Sequence, residues 1–98
     1  MTEDLVHLSL QKPPEFLFFA IGDDSVDDAM RHGLNRLKTP FIEMYEEKET
    51  ARRKLRKPTI FLVAVLARWM AEDGYFFSHA ETGEWLTEEI PPKYLRLQ

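Results

Sequence analysis

Residues Met70 to Tyr94 read M-A-E-D-G-Y-F-F-S-H-A-E-T-G-E-W-L-T-E-E-I-P-P-K-Y, and their punctuation decides the fold. Leu66 to Glu72 reads as a short helix, closed by Asp73-Gly74. Tyr75 to Ser78 and Glu84 to Thr87 flank the tetrapeptide A-E-T-G, which predicts a β-hairpin with Gly83 at positive φ, where a residue without Cβ is favoured. Pro91-Pro92 stiffens the exit, and Tyr94, Leu95 and Leu97 are placed to form a last strand.

Working outward, Thr59 to Val65 (T-I-F-L-V-A-V) is the clearest strand of the chain, β-branched and apolar throughout, as an interior strand must be. Pro58 separates it from Glu46 to Lys57, a charged segment of high helix propensity and few apolar residues, predicted to be a surface helix. Thr39 to Tyr45 reads as a short strand. Ser25 is a candidate N-cap for a helix with Asp27 and Asp28 in its first turn and Arg31 and His32 in its last, the order the helix dipole favours. Gly33 is placed to end it in the left-handed conformation, and Val26, Ala29, Met30 and Leu34 form its apolar stripe. Glu15 to Ile21 contains F-L-F-F-A-I, predicting a central strand covered on both faces. The opening D-L-V-H-L-S-L alternates with period two, as a half-buried strand does. The expected fold class is α+β, a small split, mostly antiparallel sheet with short peripheral helices.

Ninety-eight residues are expected to make one domain, residues 1–98. With 44% apolar and 12% aromatic residues the chain is too hydrophobic for intrinsic disorder. The absence of cysteine excludes disulfides, thiolate metal sites and a cysteine nucleophile. The start M-T-E-D-L-V-H-L is acidic, and no apolar run approaches the roughly 20 residues of a membrane helix, so a cytoplasmic protein without membrane partners is expected. The net charge of −4 opposes indiscriminate nucleic-acid binding, yet six of the thirteen basic residues fall between Lys48 and Lys57, a locally positive patch on an acidic body.

The quoted stretch also resembles the carboxy-terminal segment of the RNA 2′-phosphotransferases, whose pattern is similar to M-x-x-x-G-Y/F-x-F-Y-x-A-E/D-N-G-V-W-L-T-x-x-V-P-P. Met70, Gly74, Tyr75, Phe77, Ala80, Glu81, Gly83, Trp85, Leu86, Thr87, Pro91 and Pro92 fall in step with it. Upstream, Lys57-Pro58-Thr59-Ile60-Phe61-Leu62 resembles the family's K-P-V-V-L strand, and Gly33-Leu34 its E-G-L helix ending. The resemblance runs from about residue 16 to 94 and implies an ADP-ribosyltransferase-like lobe that grips NAD in a cleft. The family's amino-terminal winged-helix lobe, source of an Arg-His pair, is expected to have no counterpart in a chain of this length.

Where the family carries Tyr-His-Gly-Thr to handle NAD, this chain has Phe18, Phe19, Ala20 and Ile21. Where it carries His-Val-His-Leu-Ser, this chain has Phe41, Ile42, Glu43, Met44 and Tyr45. The family's phosphate-holding Arg after Phe-Tyr is His79, which exchanges a permanent planar cation with several donors for a ring with at most two. Val6-His7-Leu8-Ser9 spells the family's V-H-L-S, but ahead of the helix ending at Gly33 rather than after it.

Two functions follow as expectations. One is a non-catalytic relative acting as a binding module for a nucleotide, a phosphorylated RNA end or a protein, with no cofactor. The other is a minimal NAD-dependent transferase in which His79, Glu43 and a basic residue from the Arg52 to Lys57 helix replace the lost groups. Phe19, Ala20 and Ile21 mark the cofactor-binding positions of the lost motif. Arg52, Arg53, Arg56 and Lys57 are candidates for phosphate or RNA contact, against the plainer reading of a solvated helix laced by Glu46, Glu47 and Glu49. Trp85 reads as a core anchor and the phenylalanines as core rather than an aromatic cage. No metal-ligand spacing is evident, and a homodimer or a second chain completing the lobe is a further expected partner.

Overall fold

The computed structural model describes residues 9–35 and 41–98. In chain order they form β1 (Ser9–Leu10), β2 (Leu17–Gly22), α1 (Val26–His32), β3 (Leu34–Asn35), β4 (Ile42–Met44), α2 (Lys48–Lys54), β5 (Ile60–Val65), α3 (Ala67–Glu72), β6 (Ser78–His79), β7 (Trp85–Thr87), β8 (Glu89–Ile90), a 3₁₀ turn (Pro92–Tyr94) and β9 (Leu95–Leu97). The strands make three sheets, ordered β1-β6-β7-β4, β2-β5-β9 and β3-β8, and their pairings are antiparallel. The α+β class expected from the sequence is the class observed.

β5 fills both its ladders, with β2 along its whole length (Leu17 opposite Val65 to Gly22 opposite Ile60) and with β9 at Val63 to Val65. The central strand is therefore β5, not the phenylalanine-rich β2. The carboxy-terminal strand takes the far side of β5, while the outer edge of β2 meets a single bridge, Phe18 with Tyr45. That bridge is reciprocal, each amide donating to the other's carbonyl at 2.8 Å, and it stitches β2 to the end of β4. Covering of β2 on both faces is as expected: Leu17 and Phe19 enter the main core with Val63, Met70, Phe77 and Trp85, and Phe18 packs against the smaller cluster of Tyr45, Ala51 and Leu62.

α1 keeps its expected bounds between Ser25 and Gly33, whereas α2 is shorter than expected. α2 occupies Lys48–Lys54 rather than Glu46 to Lys57, because Glu47 and Leu55 are extended and Pro58 disfavours helical geometry at Lys57. Its one fully buried side chain is Ala51, small enough to let the helix lie flat on β2 and β5. At α1, Ser25 sits at the N-cap with φ −123° and ψ −12°, so its hydroxyl donates to Asp24 instead of accepting from the first-turn amides. Gly33 has the expected positive φ, +79°, but ψ is −169°, outside the left-handed helical basin; it turns the chain straight into β3 while its amide donates to Ala29 at 2.7 Å.

The hairpin is present in shortened form. β6 pairs with β7 through Ser78 opposite Leu86 and His79 opposite Trp85, and Gly83 turns at φ +105°. Tyr75 and Phe77 are not in the ladder: the Tyr75 amide donates to Met70, and the Phe77 carbonyl accepts from Gln11. Of the strand expected from Leu5 to Leu10, Ser9 and Leu10 pair with β6, while Leu5 to Leu8, including the V-H-L motif, lie outside the described residues, as do Thr39 and Pro40. Phe16, expected in the core, is 42% exposed, since it precedes β2 beyond the reach of β5.

Candidate functional site: a stacked hairpin and an acidic cavity

The register of β6 and β7 puts His79 directly opposite Trp85, and directly opposed residues project from the same face. Their rings stack 4.2 Å apart at 9°. Trp85 is 3% exposed and belongs to the core, so the indole is a fixed platform for the imidazole. Its Nε1 donates to Glu46 Oε2 at 2.7 Å, and His79 Nε2 lies 4.0 Å from the same oxygen. Glu46 stands just ahead of α2, 39 residues from Trp85 in sequence, so the contact is created by the fold alone.

Between this hairpin and α2 lies a cavity of about 370 Å³, walled by Tyr45, Glu46, Glu47, Thr50, Lys54, His79, Thr82, Gly83 and Glu84. The Lys54 ammonium lies 5.7 Å from the centre of the Tyr45 ring. Glu84 accepts from the Thr82 hydroxyl at 2.5 Å, and this bond, with a backbone hydrogen bond of its own, holds its carboxyl below the usual range. Tyr45 donates its phenol to Glu43 at 2.9 Å; burial first, and then that carboxylate, push the phenol up to about 12. With three carboxylates against one ammonium the walls are net acidic, which disfavours phosphate inside the cavity and favours groups rich in hydrogen-bond donors.

A second cavity, of about 590 Å³, is lined by Leu34, Asn35, Phe41, Ile42, Glu43, Glu84 and Leu86. Glu43 thus faces a different cavity from His79, the two spaces sharing the Glu84 wall. Phe19 is 7% exposed in the main core opposite Val63, with Ala20 opposite Leu62 and Ile21 opposite Phe61. Arg52 is ion-paired with Glu49, Lys57 with Asp24 at 3.3 Å, and Arg53 and Arg56 are exposed. Lys57 holds the Asp24 carboxyl below its ordinary value by hydrogen bond and charge. Of the basic run, Lys54 is the member that lines the hairpin cavity, beside Tyr45, Glu46 and Glu84; sequence reading offered Lys54 only as part of the Lys48 to Lys57 cluster and named none of the other three as site residues, having no local signal for their convergence. Among the described residues no group of three or more His, Asp or Glu is arranged to hold a metal ion, and no helix is long and apolar enough to cross a membrane.

Fold and site together define a small α+β protein with a ligand-sized cavity built against a Trp-supported hairpin. No family model matches the chain. It is similar to proteins described as probable RNA 2′-phosphotransferases: one from Nostoc punctiforme, 31% identical over 87 residues covering 86% of this chain and 47% of that protein; one from Trichormus variabilis, 30% identical over 95 residues covering 94% and 51%; and one from Acaryochloris marina, 32% identical over 85 residues covering 84% and 46%. The chain resembles the RNA 2′-phosphotransferases along most of its own length, and it spans about half the length of the curated relatives it matches.

Proposed function

We propose that this chain is a non-catalytic relative of the RNA 2′-phosphotransferases that serves as a binding module for a nucleotide or a phosphorylated RNA end. The observation that carries the reading is Phe19. At the position the resemblance assigns to the family's NAD-handling histidine, this chain places a phenylalanine that is 7% exposed and packed in the main core. A buried apolar ring neither donates to NAD nor moves a proton. The cavity that remains lies elsewhere, against the hairpin, and its ring stack and polar walls are features of a binding site.

The rival, a minimal NAD-dependent transferase, needs Glu43 and His79 to act on one substrate. Their lining of different cavities weighs against it. NAD, ADP-ribose and a 2′-phosphorylated oligoribonucleotide, titrated into labelled protein, are expected to shift the resonances of Tyr45, His79 or Trp85 with at least one of the three, without release of nicotinamide from NAD. Nicotinamide release above that of a Glu43→Gln, His79→Ala double variant overturns the non-catalytic half. Silence from all three ligands overturns the nucleotide half and leaves a protein partner or a homodimer.

A further inference from the structure

The hairpin cavity has two properties that together select a ligand. The first is a planar floor: His79 lines the cavity, 31% exposed at its side chain, with its ring backed in parallel by the buried Trp85 indole. A ring so supported loses little freedom when another flat ring is laid on it, and bases stack favourably on aromatic side chains whatever their sequence. The second is the pattern of polar groups around the floor. Glu46 is held beside the imidazole by the Trp85 indole, which occupies Oε2 at 2.7 Å. Lys54, on α2, supplies a donor from the side of Tyr45.

We infer that the cavity between the β6–β7 hairpin and α2 receives a guanine base, stacked on the His79–Trp85 pair and read at its edge by Glu46 and Lys54. Guanine matches the walls better than the other bases. Its adjacent N1–H and N2–H₂ groups are donors that a carboxylate accepts side by side, and its O6 and N7 are acceptors for an ammonium. Adenine offers an acceptor, N1, where guanine offers the N1 donor, and that acceptor is repelled by a carboxylate. Uracil offers one donor flanked by two acceptors, and cytosine has an acceptor beside its amine. The acidic walls also orient the nucleotide: its phosphate is repelled by Glu46, Glu47 and Glu84 and must point out of the cavity.

The inference deepens the proposed binding role and rests on it, with tests that separate the two. Guanosine, adenosine and inosine are titrated against the intact chain, followed by the shifts of the Trp85 indole N–H and the His79 ring. Guanosine is expected to bind about tenfold more tightly than adenosine, the worth of one good carboxylate–base pair, with inosine between them because it lacks the N2 amine. Glu46→Gln retains an acceptor for the Trp85 indole and is expected to equalise guanosine and adenosine. His79→Ala is expected to weaken both by about tenfold while keeping their ratio. Equal binding of guanosine and adenosine to the unaltered chain overturns the assignment, as does a guanosine preference that survives Glu46→Gln. A response to NAD or ADP-ribose with no preference for guanosine overturns the guanine assignment and sustains the broader nucleotide role; nicotinamide release with the preference intact overturns the non-catalytic reading and sustains the guanine assignment. GMP and a short single-stranded RNA with one guanine distinguish the source: tighter binding of the RNA assigns an RNA end, equal binding assigns a mononucleotide, and each supports the base assignment through its loss in Glu46→Gln.

Discussion

Ser78 is fully buried in β6, and its hydroxyl has no hydrogen-bond partner among the described residues. Thr87, in the paired strand β7, shows the alternative: this residue is 2% exposed and its hydroxyl donates to the Phe76 carbonyl at 2.9 Å. A buried polar group without a partner costs about 1–3 kcal/mol, so Ser78→Ala is expected to raise stability by about 1 kcal/mol, whereas Thr87→Val lowers it by a similar amount; denaturant midpoints check both. Phe19 gives the opposite test. Restoring the family's residue with Phe19→His buries an imidazole among Leu17, Val63 and Met70, and is expected to cost about 2 kcal/mol or more in the same assay. It is not expected to bring back NAD chemistry, because the groups around it are apolar.

Among the elements, the passage from α1 to β3 is the least tolerant. A Cβ on Gly33 would lie 2.3 Å from the Ile90 carbonyl oxygen and 2.9 Å from the Pro92 ring, at a φ of +79° that side chains rarely adopt. Gly33→Ala is therefore expected to cost about 3 kcal/mol or more, adding a backbone clash to conformational strain. Gly74→Ala and Gly83→Ala have similar φ but open space around the new Cβ, and are expected to cost about 1–2 kcal/mol each. Thermal midpoints of the three variants check the order. Sequence marked Gly33 and Gly83 as turning points because composition alone signals a residue without Cβ. It did not give the reason Gly33 is crowded, which lies in Ile90 and Pro92, almost sixty residues away. β5 was legible because six consecutive apolar residues need no long-range information. The lengths of α2 and the hairpin were not, since ladder ends are set by partners such as Gln11 and Tyr45 that local pattern does not name. The site divides in the same way: His79 and the Trp85 anchor were legible from the hairpin motif, whereas Glu46 and Lys54 meet them only through the packing of α2.

For the whole molecule, two phenols link the fold to pH. The Tyr45 hydroxyl is pushed up to about 12, first by burial and then by Glu43; the Tyr94 hydroxyl is pushed up to about 12, first by its hydrogen bond to Asp73 and then by burial. Unfolded tyrosine ionises near 10, so the unfolded chain releases these protons more readily than the folded one. The stabilisation is complete below about pH 10 and is lost as pH rises through about 12. Stability is thus expected to fall across that window, and Tyr45→Phe to flatten part of the fall; thermal midpoints measured against pH check this.

The reciprocal Phe18–Tyr45 backbone bonds join the β2-β5-β9 sheet to the sheet containing β4, and Tyr45 is at the same time a wall of the hairpin cavity. One residue is therefore both a seam between sheets and a contact for whatever enters. A ligand that binds the closed arrangement alone must slow opening of the seam by the factor one plus its concentration over its dissociation constant. Exchange of the Phe18 and Tyr45 amides with solvent deuterium becomes a gauge of occupancy, readable for any compound before its pose or chemistry is known.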